Sequence, residues 1–254
     1  MERLAIITIS IGNRPWSNYT IPSMEHYAGV CGADFFVERF PPLREELPLP
    51  ELAPRPGRRN KIAYAAKSFF PWKYIEIYGY DRVLVLDDTC CIRRNAESIF
   101  DLVPRGYCGI KKTSPRHAQV SFRFIDSLVK AGMLKEVAYN EDYYMNSGVI
   151  LYDRICVEAI RPEKIVYAAQ LLYSRYPHQT LAYYLFMLGN VPLFFYPDQF
   201  NCLPARRLPL DQRANIEDVR PYLEDDVRIY HVTGKYKHRN LIVRQICDYF
   251  LHEV

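Results

Sequence analysis

With 254 residues, 49% of them hydrophobic, the chain is long enough for one large domain around a packed core. Its net charge of +4 comes without a dense basic stripe, which excludes a nucleic-acid-binding signature yet permits contact with phosphorylated ligands or an anionic membrane. Seven cysteines (31, 90, 91, 108, 156, 202 and 247), irregularly spaced and without a CxxC pair, exclude a disulfide scaffold and a structural zinc site and point to reduced thiols in a cytoplasmic protein.

No window approaches the roughly 18 apolar residues that span a bilayer, and the apolar start is too short for a secretory signal. The expectation is a soluble protein, at most peripheral to the inner face of a membrane. The 21 Tyr and 13 Phe favour a carbohydrate-handling cleft only weakly, because tyrosine also fills cores.

Residues 4–9 read as a buried strand, followed by the polar turn Ser10-Ile-Gly-Asn-Arg-Pro15. A helix over 22–30 and a strand over 34–37 come next. Six prolines between 41 and 58 forbid a regular helix or central strand and define a proline-rich loop. Asn60 can cap a helix carrying Ile62, Ala65, Ala66, Phe69 and Phe70. The cations Arg59, Lys61 and Lys67 at this electropositive end are candidate phosphate ligands, or else a solvated basic patch.

The central stretch is Asp81-Arg-Val-Leu-Val-Leu-Asp-Asp-Thr-Cys90. Its short β-branched run without polar alternation predicts a strand buried on both faces, ending in Asp87, Asp88 and Thr89. Carboxylates at the carboxyl end of such a strand stand where open α/β sheets bind ligands. Hard cations such as Mn²⁺ or Mg²⁺ bridge one or two carboxylates to substrate phosphates, so the pair predicts a metal-diphosphate site.

Beyond it the pattern predicts a helix over 95–102 capped by Asn95, a strand over 107–110, a basic turn at 111–116 and an amphipathic helix over 122–131. A turn at Asn146-Ser147-Gly148 abuts a strand over 149–152. Helices over 162–173 and 179–188, strands over 191–195 and 227–232, and a helix over 241–251 within the C-terminal segment 239–254 complete the chain. Strands and helices alternate without repeats, which predicts a single α/β domain over residues 1–254, its central sheet mixed but mostly parallel and flanked by helices. His231, at the end of the last strand and followed by Gly234, Lys235 and Lys237, can join the acidic strand end. His178 and Gln179 stand at a helix start.

Taken in order, these segments resemble glycosyltransferases of the GT-A fold, in particular glycosyltransferase family 8 and its relatives. The matching pieces are Tyr80-Asp-Arg-Val-Leu-Val-Leu-Asp-Asp-Thr89, Tyr144-Met-Asn-Ser-Gly-Val149, His178-Gln-Thr180, Phe200-Asn201 and His231-x-x-Gly234-x-x-Lys237. The resemblance covers residues 61–237. It implies a nucleotide-sugar donor, a UDP-sugar, with Mn²⁺ (or Mg²⁺) bridging its diphosphate, and a saccharide or glycolipid acceptor.

The implied metal ligands are Asp87 and His231, with Thr89 as a third position. Lys61, Asp87, Asp88, Asn146, Ser147, Gly148, His178, Gln179, Gly234 and Lys237 would hold the donor. Gln179, Asn146 and Asp88 would stand at the reaction centre. The family's second acidic residue falls at Thr89, and its usual aspartate before the glutamine is His178. Retention by same-face attack needs no dedicated base, whereas inversion would need one such as Glu141 or Asp142.

A nucleotidyltransferase would share the strand-end acids, but the loop after the first strand has only Gly12 and Arg14 of the glycine-rich basic pattern it needs. A catalytically silent nucleotide-sugar-binding module would share the fold. Arg206, Arg207 and residues 235–239 could meet an anionic membrane or polysaccharide, or be scattered surface cations.

Overall fold

The computed structural model describes residues 2–50, 61–140, 142, 144–204, 219–233 and 239–252. Strand β1 (Leu4–Ile9) leads through helix α1 (Ser17–Cys31) to strand β2 (Asp34–Glu38). Helix α2 (Lys61–Glu76) precedes strand β3 (Arg82–Asp87) and a short strand β4 (Cys90–Ile92). Helix α3 (Ile99–Leu102), strand β5 (Cys108–Lys112), helix α4 (Pro115–Lys130) and strand β6 (Met145–Asp153) follow. Helices α5 (Pro162–Tyr167) and α6 (Pro177–Leu188), strands β7 (Leu193–Phe195) and β8 (Ile229–His231), and helix α7 (Arg239–His252) complete the order.

Six strands form one sheet in the order β2-β1-β3-β6-β5-β7. Only β6 is antiparallel to its neighbours, so five strands point their carboxyl ends to one edge while β6 brings its amino end there. This mixed, mostly parallel sheet is the expected one. The chain leaves β1 for β2 on one side and returns to β3 on the other. That reversal opens a crevice at the carboxyl ends of β1 and β3, where Ile9 lies opposite Asp87. A second, two-stranded sheet joins β4 to β8.

Val83, Leu84, Val85 and Leu86 are each at most 1% exposed, which explains the run without alternation. Together they contribute on the order of 6–12 kcal/mol, enough to offset the several kcal/mol that a partly desolvated carboxylate at Asp87 costs. One side of the sheet packs on α2, α4 and α6 through Phe69, Phe122, Tyr144 and Tyr183, the other on α1 and α3 through Met24, Tyr27 and Ile99. A third cluster holds β4 and β8 against α7. Many tyrosines are therefore core filler whose hydroxyls tie elements together. Tyr196 Oη donates to the Val149 carbonyl (2.6 Å) and Tyr152 Oη to that of Lys67 (3.3 Å). No described helix is long and apolar enough to cross a membrane.

Three local expectations are corrected. Residues 146–148 are not a turn ahead of a strand but part of β6. The register against β5 shifts between Gly109 and Lys111, and the Gly148 N–H donates to Asn146 Oδ1 (2.9 Å), so turn chemistry persists inside the strand. The helix assigned to 95–102 begins only at Ile99, where the Ser98 side chain caps it by accepting from the Phe100 N–H (3.2 Å). The strand β4 in this region was not expected. Finally, residues 162–173 divide into α5 and a 3₁₀ turn, Ala169–Tyr173.

Arg82, 2% exposed, secures the inner sheet to α3. Its Nη1 donates to the Phe100 carbonyl (2.7 Å) and its Nη2 to that of Val103 (2.6 Å), with Asp153 on the paired strand 3.6 Å from Nε. Arg82→Met strips both carbonyls of a donor and leaves Asp153 without its cation. The expected loss is about 3–5 kcal/mol of unfolding free energy in a denaturant titration, and a loss below about 1 kcal/mol would contradict this role.

Candidate functional site

A cavity of about 850 Å³ opens at the crevice between β1 and β3. The loop after β1 (Ile11, Gly12, Asn13, Arg14) forms one wall, and Tyr64 and Lys67 of α2 another. Asp87, Asp88 and Thr89 form the floor, with Arg175, Tyr176, Val232, Thr233 and Arg239 closing the rim. Two acids stand among four cations, an arrangement suited to a polyanion carrying a metal.

The sheet sets Asp87 at the last residue of β3, and Thr20 Oγ1 pins the next turn by donating to the Asp88 carbonyl (2.9 Å). Lys67 Nζ donates to Asp87 Oδ1, while His231 Nε2 lies 3.1 Å from Asp87 Oδ2. Burial pushes the Asp87 carboxyl up, but Lys67 and His231 more than offset it and hold the group well below the usual carboxylate range. Asp88 behaves oppositely. Burial raises its carboxyl and the Asp87 charge raises it further, against the pull of Arg14, whose Nε is 3.4 Å from Oδ2.

His231 is 2% exposed and reaches Asp87 because β8 pairs with β4, placing it opposite Cys90. Its Nδ1 lies 3.2 Å from Asn201 Oδ1, and its Nε2 faces Asp87. Gly148 makes room for the ring, since a Cβ there would fall 1.9 Å from Cε1. Octahedral Mg²⁺ or Mn²⁺ with bonds of about 2.1 Å holds adjacent ligands about 3.0 Å apart. Asp87 Oδ2 and His231 Nε2 therefore fit as neighbouring ligands of one such ion. Among the described residues no third His, Cys, Asp or Glu converges with them, so phosphate oxygens and waters would complete the shell.

The other sequence-derived residues fall into three groups. Asp88 and Thr89 line the cavity. Asn146 turns its Oδ1 inward to Gly148 and Asn201, with Ser147 half-buried between the two strand positions. His178 and Gln179 are buried on α6 beyond Tyr176. Both His178 ring nitrogens and Gln179 Nε2 lack hydrogen-bond partners among the described residues. Burial drives the His178 imidazole well below its ordinary range, Lys67 adds to this and Asp87 opposes it, so the ring is neutral.

Lys61 is set apart from the cavity, its ammonium over the Tyr173 ring, and Lys67 takes the place beside the carboxylates. Gly234, Lys235 and Lys237 lie outside the described residues, as do Arg59, Asn60, Glu141, Arg206 and Arg207. Arg175 and Tyr64 were missed, because a lone cation in a bend or a lone ring on a helix carries no motif. Arg239, grouped in the sequence with a surface cluster, lines the cavity instead.

No family model matches the sequence, and no curated protein matches it. The fold is similar to that of a glycosyltransferase involved in the glycosylation of the major capsid of PBCV-1, with a TM-score of 0.57 at 13% identity over 95% of this chain and 98% of that one. It is also similar to the galactosyltransferase LgtC, crystallised with donor and acceptor sugar analogues, with a TM-score of 0.56 at 18% identity over 97% and 94% of the two chains. The bifunctional glycosyltransferase WbbM gives a TM-score of 0.53 at 15% identity, over 93% of this chain and 46% of that one. The chain thus has the GT-A-like fold of these glycosyltransferases, as its motifs implied.

The close approach of Gly148 to His231 has a direct test. Gly148→Ala should expel the imidazole from beside Asp87 and destabilise the protein by about 1–3 kcal/mol. Thermal unfolding together with a crystal structure of the variant checks this, and an unmoved His231 would contradict it.

Proposed function

We propose that this protein is a metal-assisted glycosyltransferase that moves a sugar from a nucleotide-sugar donor, a UDP-sugar, to a saccharide or glycolipid acceptor. The observation that carries this reading is the pairing of Asp87 Oδ2 with His231 Nε2 at 3.1 Å beside a cation-lined cavity, in a fold similar to that of glycosyltransferases. Mn²⁺ (or Mg²⁺), held by Asp87 and His231, would supply Lewis-acid stabilisation of the diphosphate as it leaves.

The chain's own residues do the rest. Arg14, Lys67, Arg175 and Arg239 neutralise a diphosphate within the cavity and favour the charge that develops on it as the glycosidic bond breaks. Lys67, already on Asp87, also keeps that carboxylate ionised. His178, as a neutral imidazole, offers one donor and one acceptor to sugar hydroxyls where the family usually has an acid. Gln179 adds a buried amide. A retaining course by same-face attack fits a cavity whose acids, among the described residues, are Asp87 and Asp88. Asp142, one of the two base candidates, is exposed and 3.4 Å from Lys112 Nζ. Cytoplasmic residence accords with seven free cysteines. Arg239 at the cavity rim favours a ligand role over a membrane role for that cation.

Thr89 in place of a second acid favours one other reading, a module that binds nucleotide-sugar without turnover. Hydrolysis and transfer assays with UDP-, GDP- and CMP-sugars, with and without Mn²⁺, separate the two. Metal-dependent turnover of a UDP-sugar is expected, whereas binding of UDP and Mn²⁺ without turnover would favour the silent module. Absence of both turnover and metal-dependent nucleotide binding would sink both readings, and release of pyrophosphate would indicate a nucleotidyltransferase. Asp87→Asn should lower turnover about 10²–10³-fold. Gln179→Ala should lower kcat more than it raises KM, and equal effects on a dead-end UDP complex would refute a role at the sugar.

A further inference from the structure

Behind Asp87 lies a chain of hydrogen bonds whose direction is set by an atom that cannot turn. The backbone N–H of Gly148 donates at 2.9 Å to Asn146, so the receiving atom is the amide oxygen, Oδ1. The same oxygen accepts a second bond at 3.0 Å from Asn201, and only the Asn201 Nδ2 amide can give it. Asn201 therefore presents its Oδ1 to His231 Nδ1, 3.2 Å away. An amide oxygen only accepts, so the hydrogen sits on Nδ1.

Two further contacts hold this order in place. Lys111 Nζ donates to the Asn201 backbone carbonyl (2.8 Å), anchoring that residue from below. Asn201 is fully buried, and the surface of Gly148 leaves the imidazole one seat.

We propose that Asn146 and Asn201 are positioning residues for His231: their relay from the Gly148 N–H keeps the hydrogen on Nδ1 and aims Nε2 at Asp87 Oδ2. Nε2, 3.1 Å from Asp87 Oδ2, thereby faces that carboxylate. Use of Nε2 on a divalent cation rests on the function proposed above; the hydrogen on Nδ1 does not. The reading also moves Asn146 from the reaction centre, where the sequence resemblance put it, to a place behind the histidine.

The test uses metal-free, full-length protein labelled with ¹⁵N-histidine, with His231 assigned by the signals lost in His231→Gln. Two-bond ¹⁵N–¹H correlations should show a protonated Nδ1 for His231. Asn201→Leu, and separately Asn146→Ala, should shift population toward the Nε2–H form. Each should also weaken Mg²⁺ binding in the presence of UDP by about 10- to 100-fold by calorimetry. Should Asn201→Leu fail to fold, Asn146→Ala cuts the same relay one bond upstream, at a half-buried position. A wild-type His231 with a bare Nδ1, or an Nδ1 unmoved by Asn146→Ala, would overturn the relay. The expected tautomer in a wild-type protein that binds neither UDP nor Mg²⁺ would support the relay and overturn the proposed function instead.

Discussion

Everything at the carboxyl edge of the sheet is arranged around one demand, that the charge of Asp87 be answered. The strand before it is buried on both faces, so the carboxylate cannot retreat into solvent without unpairing β3 from its two neighbours. Lys67 answers from a helix 20 residues earlier, and His231 from a strand 144 residues later, so both sides of the fold are drawn to the same atom pair. The small β4–β8 sheet has its structural reason here: it carries the histidine across to the end of β3. The third cluster of apolar side chains then backs that small sheet with α7.

Much of this was legible in the sequence because its physical causes are local. An apolar run of β-branched residues ending in charge can be little other than a central strand at a ligand edge, and β1 and β3 fall where the pattern puts them. Lys67 was visible as a cation in a helix near the amino end, though its partner was not. What could not be read depends on pairing over long distances. β4 has only three residues and exists because β8 lies beside it. The turn chemistry of Asn146 and Gly148 was correctly sensed, yet nothing local tells that a strand runs through it.

Charge on the cavity wall was harder still. Arg14, Arg175 and Arg239 come from three unrelated segments, each an ordinary surface cation when seen alone. Conversely Lys61, which stands where the motif leads one to look, is drawn aside by the ring of Tyr173. A helical cation six residues on faces about 120° away around the helix axis, and it is this difference that decides which ammonium meets the acid. The abundance of tyrosine resolves in a similar manner, with rings buried in the core and hydroxyls spent on carbonyls.

The bare Cα of Gly148 against the imidazole of His231 has a consequence for the history of such a site. The two positions cannot vary independently, since any side chain at 148 must displace the ring. A descendant that gives up the histidine is free to acquire a side chain at 148, but once it has done so, the histidine cannot return to its seat without first undoing that change. Loss of the ring would thus act as a ratchet, turning an active cleft into a permanently repurposed one by way of a residue that has no side chain at all.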